Sequence, residues 1–249
     1  MTQTVNGVSA KEKLIVALDV ESAHEARRVF EELRGAAGMF KVGSQLFTSA
    51  GPEFVRELVA TGASVFLDLK FHDIPNTVAA ASREAVRLGV SLFNVHAAGG
   101  GGMMRAAADA VNGEAALLGI AKPRLIAVTV LTSADAYTLE ETGVAAPSVE
   151  AQVERLARLA GDSGLDGVVA SPHEIATVRA AVARPDFIVV TPGVRPFASA
   201  HDDQKRVMTP SEAIRAGADY IVVGRAILNA PDPARAAHEI VEEMEEAKE

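Results

Sequence analysis

Apolar residues fall along the chain in eight short, continuous runs: Leu14 to Asp19, Met39 to Val42, Ser64 to Lys70, Leu92 to His96, Leu125 to Leu131, Gly167 to Ala170, Phe187 to Thr191 and Tyr220 to Val223. They are rich in Val, Ile, Leu and Phe and lack the polar alternation of a half-exposed strand. That pattern predicts parallel strands covered on both faces. Between them lie Ala-rich stretches with helical spacing, such as Ser22 to Leu33, Thr77 to Leu88, Ser148 to Ala160 and Pro210 to Ala216. Ser22 before Glu25 has the spacing of a capping box, and Gly35, Gly62, Gly89 and Gly217 stand where helices should stop.

Eight strand–helix alternations with short connections favour an α/β fold closed as a TIM-type (β/α)8 barrel. An open doubly wound sheet accounts for part of the same pattern. The 249 residues match the size of one barrel, and no linker or composition shift divides them, so a single domain over 1–249 is expected. The acidic stretch from Glu239 to Glu249 reads as a solvated final helix.

Composition then removes several function classes. Lys and Arg total 24 against 33 Asp and Glu, a net charge of −9 with no basic run, so neither nucleic acid nor an anionic membrane is an expected partner. There is no cysteine, which excludes disulfides, thiolate metal sites and a thiol nucleophile. No apolar stretch reaches the roughly 18 residues of a membrane span, and Met1 to Lys13 carry no secretory pattern; a cytoplasmic location is expected.

In β/α barrels the chemistry sits at the C-terminal ends of the strands, so polar residues that finish an apolar run are informative. Asp19 ends the first run, Lys41 interrupts the second, and the third closes with Asp68-Leu69-Lys70-Phe71-His72-Asp73. Strand alternation puts Phe66, Asp68 and Lys70 on one face and Val65, Leu67 and Leu69 on the other. With the leucines toward the helices, Asp68 and Lys70 point to the barrel axis, where opposite charges should pair, joined by Asp19 and Lys41. A purely structural ion-pair network is the alternative. His72 and His96 lack a helical His-x-x-x-His partner or a convincing ligand set, so structural hydrogen bonding is expected of them and no metal.

The segment Asp68 to Thr77 (DLKFHDIPNT) resembles the signature of the orotidine 5′-phosphate decarboxylase family. Ala17-Leu18-Asp19, Phe40-Lys41-Val42-Gly43, Asn94-Val95-His96, Val130-Leu131-Thr132-Ser133, Thr191 to Pro196, Asp203-Gln204 and Gly224-Arg225 support the resemblance in the family's order. It implies a cofactor-free and metal-free decarboxylase that converts orotidine 5′-monophosphate to UMP and CO2 in pyrimidine biosynthesis. Lys70 would be the catalytic lysine, in an array with Lys41, Asp68 and Asp73. Asp73, Ile74 and Thr77 would reach the neighbouring site of a homodimer. Asp19 and Lys41 would bind the ribose, and Thr132 would lie near the pyrimidine.

Phosphate sites in barrels commonly follow the seventh and eighth strands. Gly193-Val194-Arg195 and Gly224-Arg225 stand there, and either arginine can make a bidentate contact. By composition the polar stretch from Pro196 to Thr209, with Gln204, reads equally as a disordered surface loop or as a lid over the phosphate; the family resemblance implies the lid. Two rivals remain at this level. One is the magnesium-dependent 3-keto-hexulose-6-phosphate synthase type, which shares Asp-x-Lys-x-x-Asp; the other is a catalytically silent nucleotide-binding barrel.

Overall fold

A computed structural model describes residues 8–195 and 208–247. Eight parallel strands close into one barrel in sequence order: β1 (Leu14–Ala17), β2 (Met39–Gly43), β3 (Val65–Phe71), β4 (Leu92–His96), β5 (Arg124–Val128), β6 (Gly167–Val169), β7 (Ile188–Pro192) and β8 (Tyr220–Val223). Closure is made by β1 pairing β8, with Ile15 opposite Val222. The open-sheet alternative is thereby excluded, since a closed cylinder leaves no edge.

Strand alternation sorts the apolar side chains into two cores. Leu14, Val16, Val65, Leu67, Phe93 and Leu125 point outward and pack under the helices. Ile15, Ala17, Met39, Phe66, Leu92, Ile126, Ile188, Val190 and Val222 fill the barrel itself. This second group is a plug of bulky side chains across the lower barrel, so charged groups on inward positions are confined to the upper, C-terminal end. Gly167 permits that packing: a Cβ there would collide with the backbone oxygen of Ile188 on the paired strand.

The strand boundaries depart from the sequence pattern by more than one residue in two places. β1 stops at Ala17, so Asp19 lies on the loop beyond it, although the Leu18 N–H still bonds the Lys41 carbonyl at 3.0 Å. β5 stops at Val128, short of Leu131; both the N–H and the hydroxyl of Thr129 donate to the Val169 carbonyl, at 3.2 and 2.9 Å, and the chain then leaves the ladder. A short helix, Ala136–Glu141, follows, capped by Asp135.

The expected helices form as Ala23–Leu33, Pro75–Arg87, Val149–Asp162 and Pro210–Arg215. Ser22 caps the first through the Glu25 N–H at 3.2 Å, but the reciprocal Glu25 bond is not made, so half of the expected capping box is present. Gly62, Gly89 and Gly217 take positive φ past helix ends, whereas Gly35 does not. The acidic terminus belongs to the helix Pro233–Glu246, which is not simply solvated: Ala237, Ile240 and Met244 are fully buried on its inner face. No helix among the described residues is long and apolar enough to cross a membrane.

Candidate active site

Lys41 is the second inward residue of β2, in register with Ala17 on β1 and Phe66 on β3. Its stem therefore runs over the apolar plug and its ammonium emerges among the strand ends. Only 9% of the side chain is exposed, a position that demands counter-charge. Asp19 accepts from Nζ at 2.8 Å, and Asp68 Oδ2 lies 3.4 Å away. Gly43 clears this space: a Cβ there would stand 3.0 Å from Lys41 Nζ and 3.4 Å from Asp19 Oδ1.

Asp68 follows Phe66 on the inward face of β3, as alternation requires. Its other oxygen, Oδ1, accepts from Lys70 Nζ at 2.6 Å. Asp19, Lys41, Asp68 and Lys70 thus form one line of alternating charge across three strand ends, shielded on its lower side by the apolar plug. Burial alone would push the Asp68 carboxyl up, but the two flanking ammonium groups and hydrogen bonds from Lys70 and Asn94 hold it below the usual carboxylate range. Asp68 is therefore an anion at neutral pH.

Lys70 reaches this line by a local departure from strand geometry. Between Leu67 and Phe71 the pairing of β3 with β4 slips, four residues on β3 spanning two on β4. Within that bulge Lys70 has φ +53°, the left-handed region that a side chain with a Cβ enters at a cost of about 1–2 kcal/mol. Among the described residues no other non-glycine residue has positive φ. Asn94, on the inward face of β4 and 1% exposed, accepts from the Lys70 N–H through Oδ1 at 2.8 Å and donates from Nδ2 to Asp68 Oδ1 at 2.7 Å.

These groups open on a cavity of about 1280 Å³ at the C-terminal end of the barrel. It brings together Asp19, Lys41, Asp68, Lys70, Thr132, Arg195, Gly224 and Arg225 from the residues anticipated in the sequence, and adds Ser133, Ser171, His173 and Asn229. Arg195 and Arg225 stand after β7 and β8 and line the same cavity, on the side where β8 closes the barrel against β1. Gly224 lies close to β1, where a Cβ would meet Ala17 Cβ at 3.4 Å and Asp19 Oδ2 at 3.7 Å. The sequence offered no local signal for His173 or Asn229, which follow β6 and β8 as ordinary loop residues.

Three anticipated residues do not line this cavity. Asp73, Ile74 and Thr77 lie in an unbroken exposed stretch from His72 to Thr77. Asp73 Oδ1 accepts from the Ile74 N–H at 2.6 Å, and Ile74 is 66% exposed. Gln204 and most of the expected lid lie outside the described residues.

His72 and His96 stack at 5.6 Å between ring centroids. Among the described residues the buried Nδ1 of His96 finds no hydrogen-bond partner, unlike the hydrogen bonding expected of it. Burial, with His72 and Lys70 nearby, holds the His96 pKa below its usual value. Among the described residues no three His, Asp or Glu side chains are grouped to hold a metal ion. A smaller cavity, about 440 Å³, opens at the opposite end among strand-starting residues such as Met39, Arg124 and Tyr220, and no carboxylate lines it.

Fold and site together define a β/α-barrel protein with a line of paired carboxylates and ammonium groups at the strand ends and two arginines lining the same cavity. The chain belongs to the Orotidine 5′-phosphate decarboxylase / HUMPS family, whose sequence profile matches residues 12–240. It is 56% identical to the orotidine 5′-phosphate decarboxylase of Syntrophotalea carbinolica over 97% of this chain and 98% of that one. It is likewise 56% identical to the protein of the same name from Moorella thermoacetica, over 96% and 94%. Among solved structures, orotidine 5′-phosphate decarboxylase from Lactobacillus acidophilus superposes with a TM-score of 0.82 at 36% identity, covering 93% of this chain and 98% of that one.

Proposed function

We propose that this protein is an orotidine 5′-phosphate decarboxylase, a carboxy-lyase that forms UMP and CO2 in pyrimidine biosynthesis. The observation that carries the proposal is the unbroken line Asp19–Lys41–Asp68–Lys70 at the mouth of the barrel, in a chain whose half-identical relatives bear that name.

The chemistry asks for such a line. When the bond between C6 and the carboxylate breaks, CO2 departs and the electron pair stays on C6, in an orbital that the ring cannot delocalise. A fixed ammonium beside C6 stabilises that pair. At about 4 Å and an effective dielectric near 20, two unit charges interact by about 4 kcal/mol. Lys70 supplies the ammonium, then gives its proton to C6 and is reprotonated from solvent. Asp68 keeps that ammonium aimed into the cavity. One charge is a fraction of the roughly 8–23 kcal/mol by which enzymes lower barriers, so the remainder comes from preorganisation and from binding energy at the phosphate and ribose. Arg195, Gly224 and Arg225 hold the phosphate, with Gln204 as a further contact to it; Asp19 and Lys41 hold the ribose hydroxyls, and Thr132 contacts the pyrimidine.

The exposed stretch bearing Asp73, Ile74 and Thr77 enters the neighbouring cavity of a homodimer, where Asp73 adds a second carboxylate beside Lys70. Its exposure, outside the lining of its own cavity, supports this reading. No metal or cofactor enters the scheme, and a cytoplasmic location belongs to the same proposal.

The test is loss of orotidine 5′-monophosphate absorbance in excess EDTA, comparing the purified protein with Lys70→Ala. EDTA-resistant formation of UMP that collapses in the variant is the expected result. Absence of turnover by folded wild type would refute the proposal, and turnover abolished by EDTA would move the chain to the magnesium-dependent branch.

A further inference from the structure

We infer that Asn94 is a positioning residue for the decarboxylase chemistry, its side-chain amide locking Lys70 in a left-handed conformation and aiming Lys70 and Asp68 at each other. The inference rests on the functional reading above and extends it to a residue on a different strand.

Asn94 interrupts an otherwise apolar strand and is 1% exposed, so both ends of its amide must be satisfied inside the barrel. Its two partners leave no ambiguity about its orientation. A backbone N–H can only donate and a carboxylate can only accept, so Oδ1 faces the Lys70 N–H at 2.8 Å and Nδ2 faces Asp68 Oδ1 at 2.7 Å. The oxygen that receives Nδ2 is the same one that receives Lys70 Nζ at 2.6 Å. Lys70 is thus held at its backbone and at its ammonium by a ring of three residues: Asn94, Asp68 and Lys70 itself.

The backbone contact has a specific task. In the bulge between Leu67 and Phe71 the Lys70 N–H has left the ladder to β4, and Asn94 supplies the acceptor that the ladder no longer provides. The left-handed conformation persists only where surroundings over-determine it. An amide offers an acceptor and a donor at this spacing without a charge at any pH. Serine is too short, and an aspartate would meet Asp68 as a like charge.

The experiment uses three proteins: wild type, Asn94→Ala and Asn94→Asp, each with its folding checked by circular dichroism. Turnover of orotidine 5′-monophosphate by wild type tests the functional reading, independently of the inference. In Asn94→Ala, kcat is expected to fall on the order of a hundredfold, the scale of a misplaced reactive group. KM should change by less than about threefold, because the lost contact acts on the lysine and not on bound substrate.

Asn94→Asp supplies the readout that a merely structural role would not move. Its protonated carboxyl reproduces the amide, the OH donating to Asp68 and the carbonyl oxygen accepting from Lys70 N–H. Its ionised form loses the donor and repels Asp68. The variant's kcat, relative to wild type at each pH, should therefore be highest at acid pH and fall as pH rises. Lys41, Lys70, His72 and His96 are the other titratable side chains around this ring, and the wild-type ratio removes any contribution of theirs. Should Asn94→Ala fail to fold, this profile carries the test alone. Unchanged kcat in folded Asn94→Ala, or an Asn94→Asp to wild-type ratio that is flat with pH, would overturn the inference. Inert wild type would refute the decarboxylase reading instead. A crystal structure of folded Asn94→Ala, or of Asn94→Asp at neutral pH, would then decide the positioning, with Lys70 unmoved counting against it.

Discussion

The left-handed backbone at Lys70 predicts an inverted order of stability between two variants, Lys70→Ala and Lys70→Gly. Both remove the ammonium and its pair with Asp68, so the difference between them isolates the backbone. In an ordinary strand glycine is the less stable of the two by about 0.5–1 kcal/mol, because it loses more freedom on folding. At φ +53° the alanine Cβ meets the steric cost of the left-handed region, about 1–2 kcal/mol, which glycine escapes. The two effects oppose, and the second exceeds the first. Lys70→Gly should be more stable than Lys70→Ala by about 0.5–1 kcal/mol. For a domain of this size that is about 1–4 °C in melting temperature. Urea melts of both variants at neutral pH measure it directly, with equal m-values confirming that the same transition is compared. Alanine equal to or above glycine would show that Lys70 is not held in the strained region, and would remove the strain that Asn94 is inferred to hold.

Acidification should reveal the charge on Asp68. Its folded pKa is depressed, so its contribution is complete above the unfolded value near 3.9 and is lost as pH falls through the lower folded value. The stability gap between wild type and Asp68→Asn should thus be constant near neutrality and narrow below about pH 4; a gap that widens on acidification would contradict the sign. Gly167→Ala should cost about 3 kcal/mol, the upper part of the overpacking range, because the obstructing atom is the Ile188 backbone oxygen and cannot rotate away. A chemical melt within about 0.5 kcal/mol of wild type would show that β6 and β7 separate more easily than their register implies. Arg87→Ala should destabilise by about 1–3 kcal/mol, since it strands the buried Glu114 carboxylate that Arg87 Nε holds at 2.8 Å. Arg235→Ala, which breaks only the exposed pair with Glu239, should stay within about 0.5 kcal/mol of wild type in the same melts.

The barrel was legible because a parallel strand covered on both faces has no polar alternation to blur it, and eight such runs separated by helical spacing leave few alternatives. Phe66 and Asp68 were assigned inward by a period of two, and the structure keeps that period as far as Asp68. Beyond it the rule loses its footing. Lys70 reaches the cavity through a bulge and a left-handed residue, and a lysine carries no sequence mark of positive φ as a glycine would. Sequence alternation gave the right direction for Lys70 by a route the backbone does not follow.

The same limit explains what was missed. Asn94 stands between Phe93 and Val95 in a run otherwise fit for burial, and a polar residue there is a demand for partners; the chain alone does not say that those partners are the backbone and carboxylate of β3, because the pairing slip that brings them within reach is a property of two strands together. His173 and Asn229 enter the cavity only because the barrel closes and gathers the ends of β6 and β8. Asp73, Ile74 and Thr77 pose the converse problem. They sit in the most recognisable segment of the chain yet are exposed and do not line its own cavity. Their exposure has a functional reason only if a second copy stands opposite, which makes the dimer a requirement of the proposed chemistry.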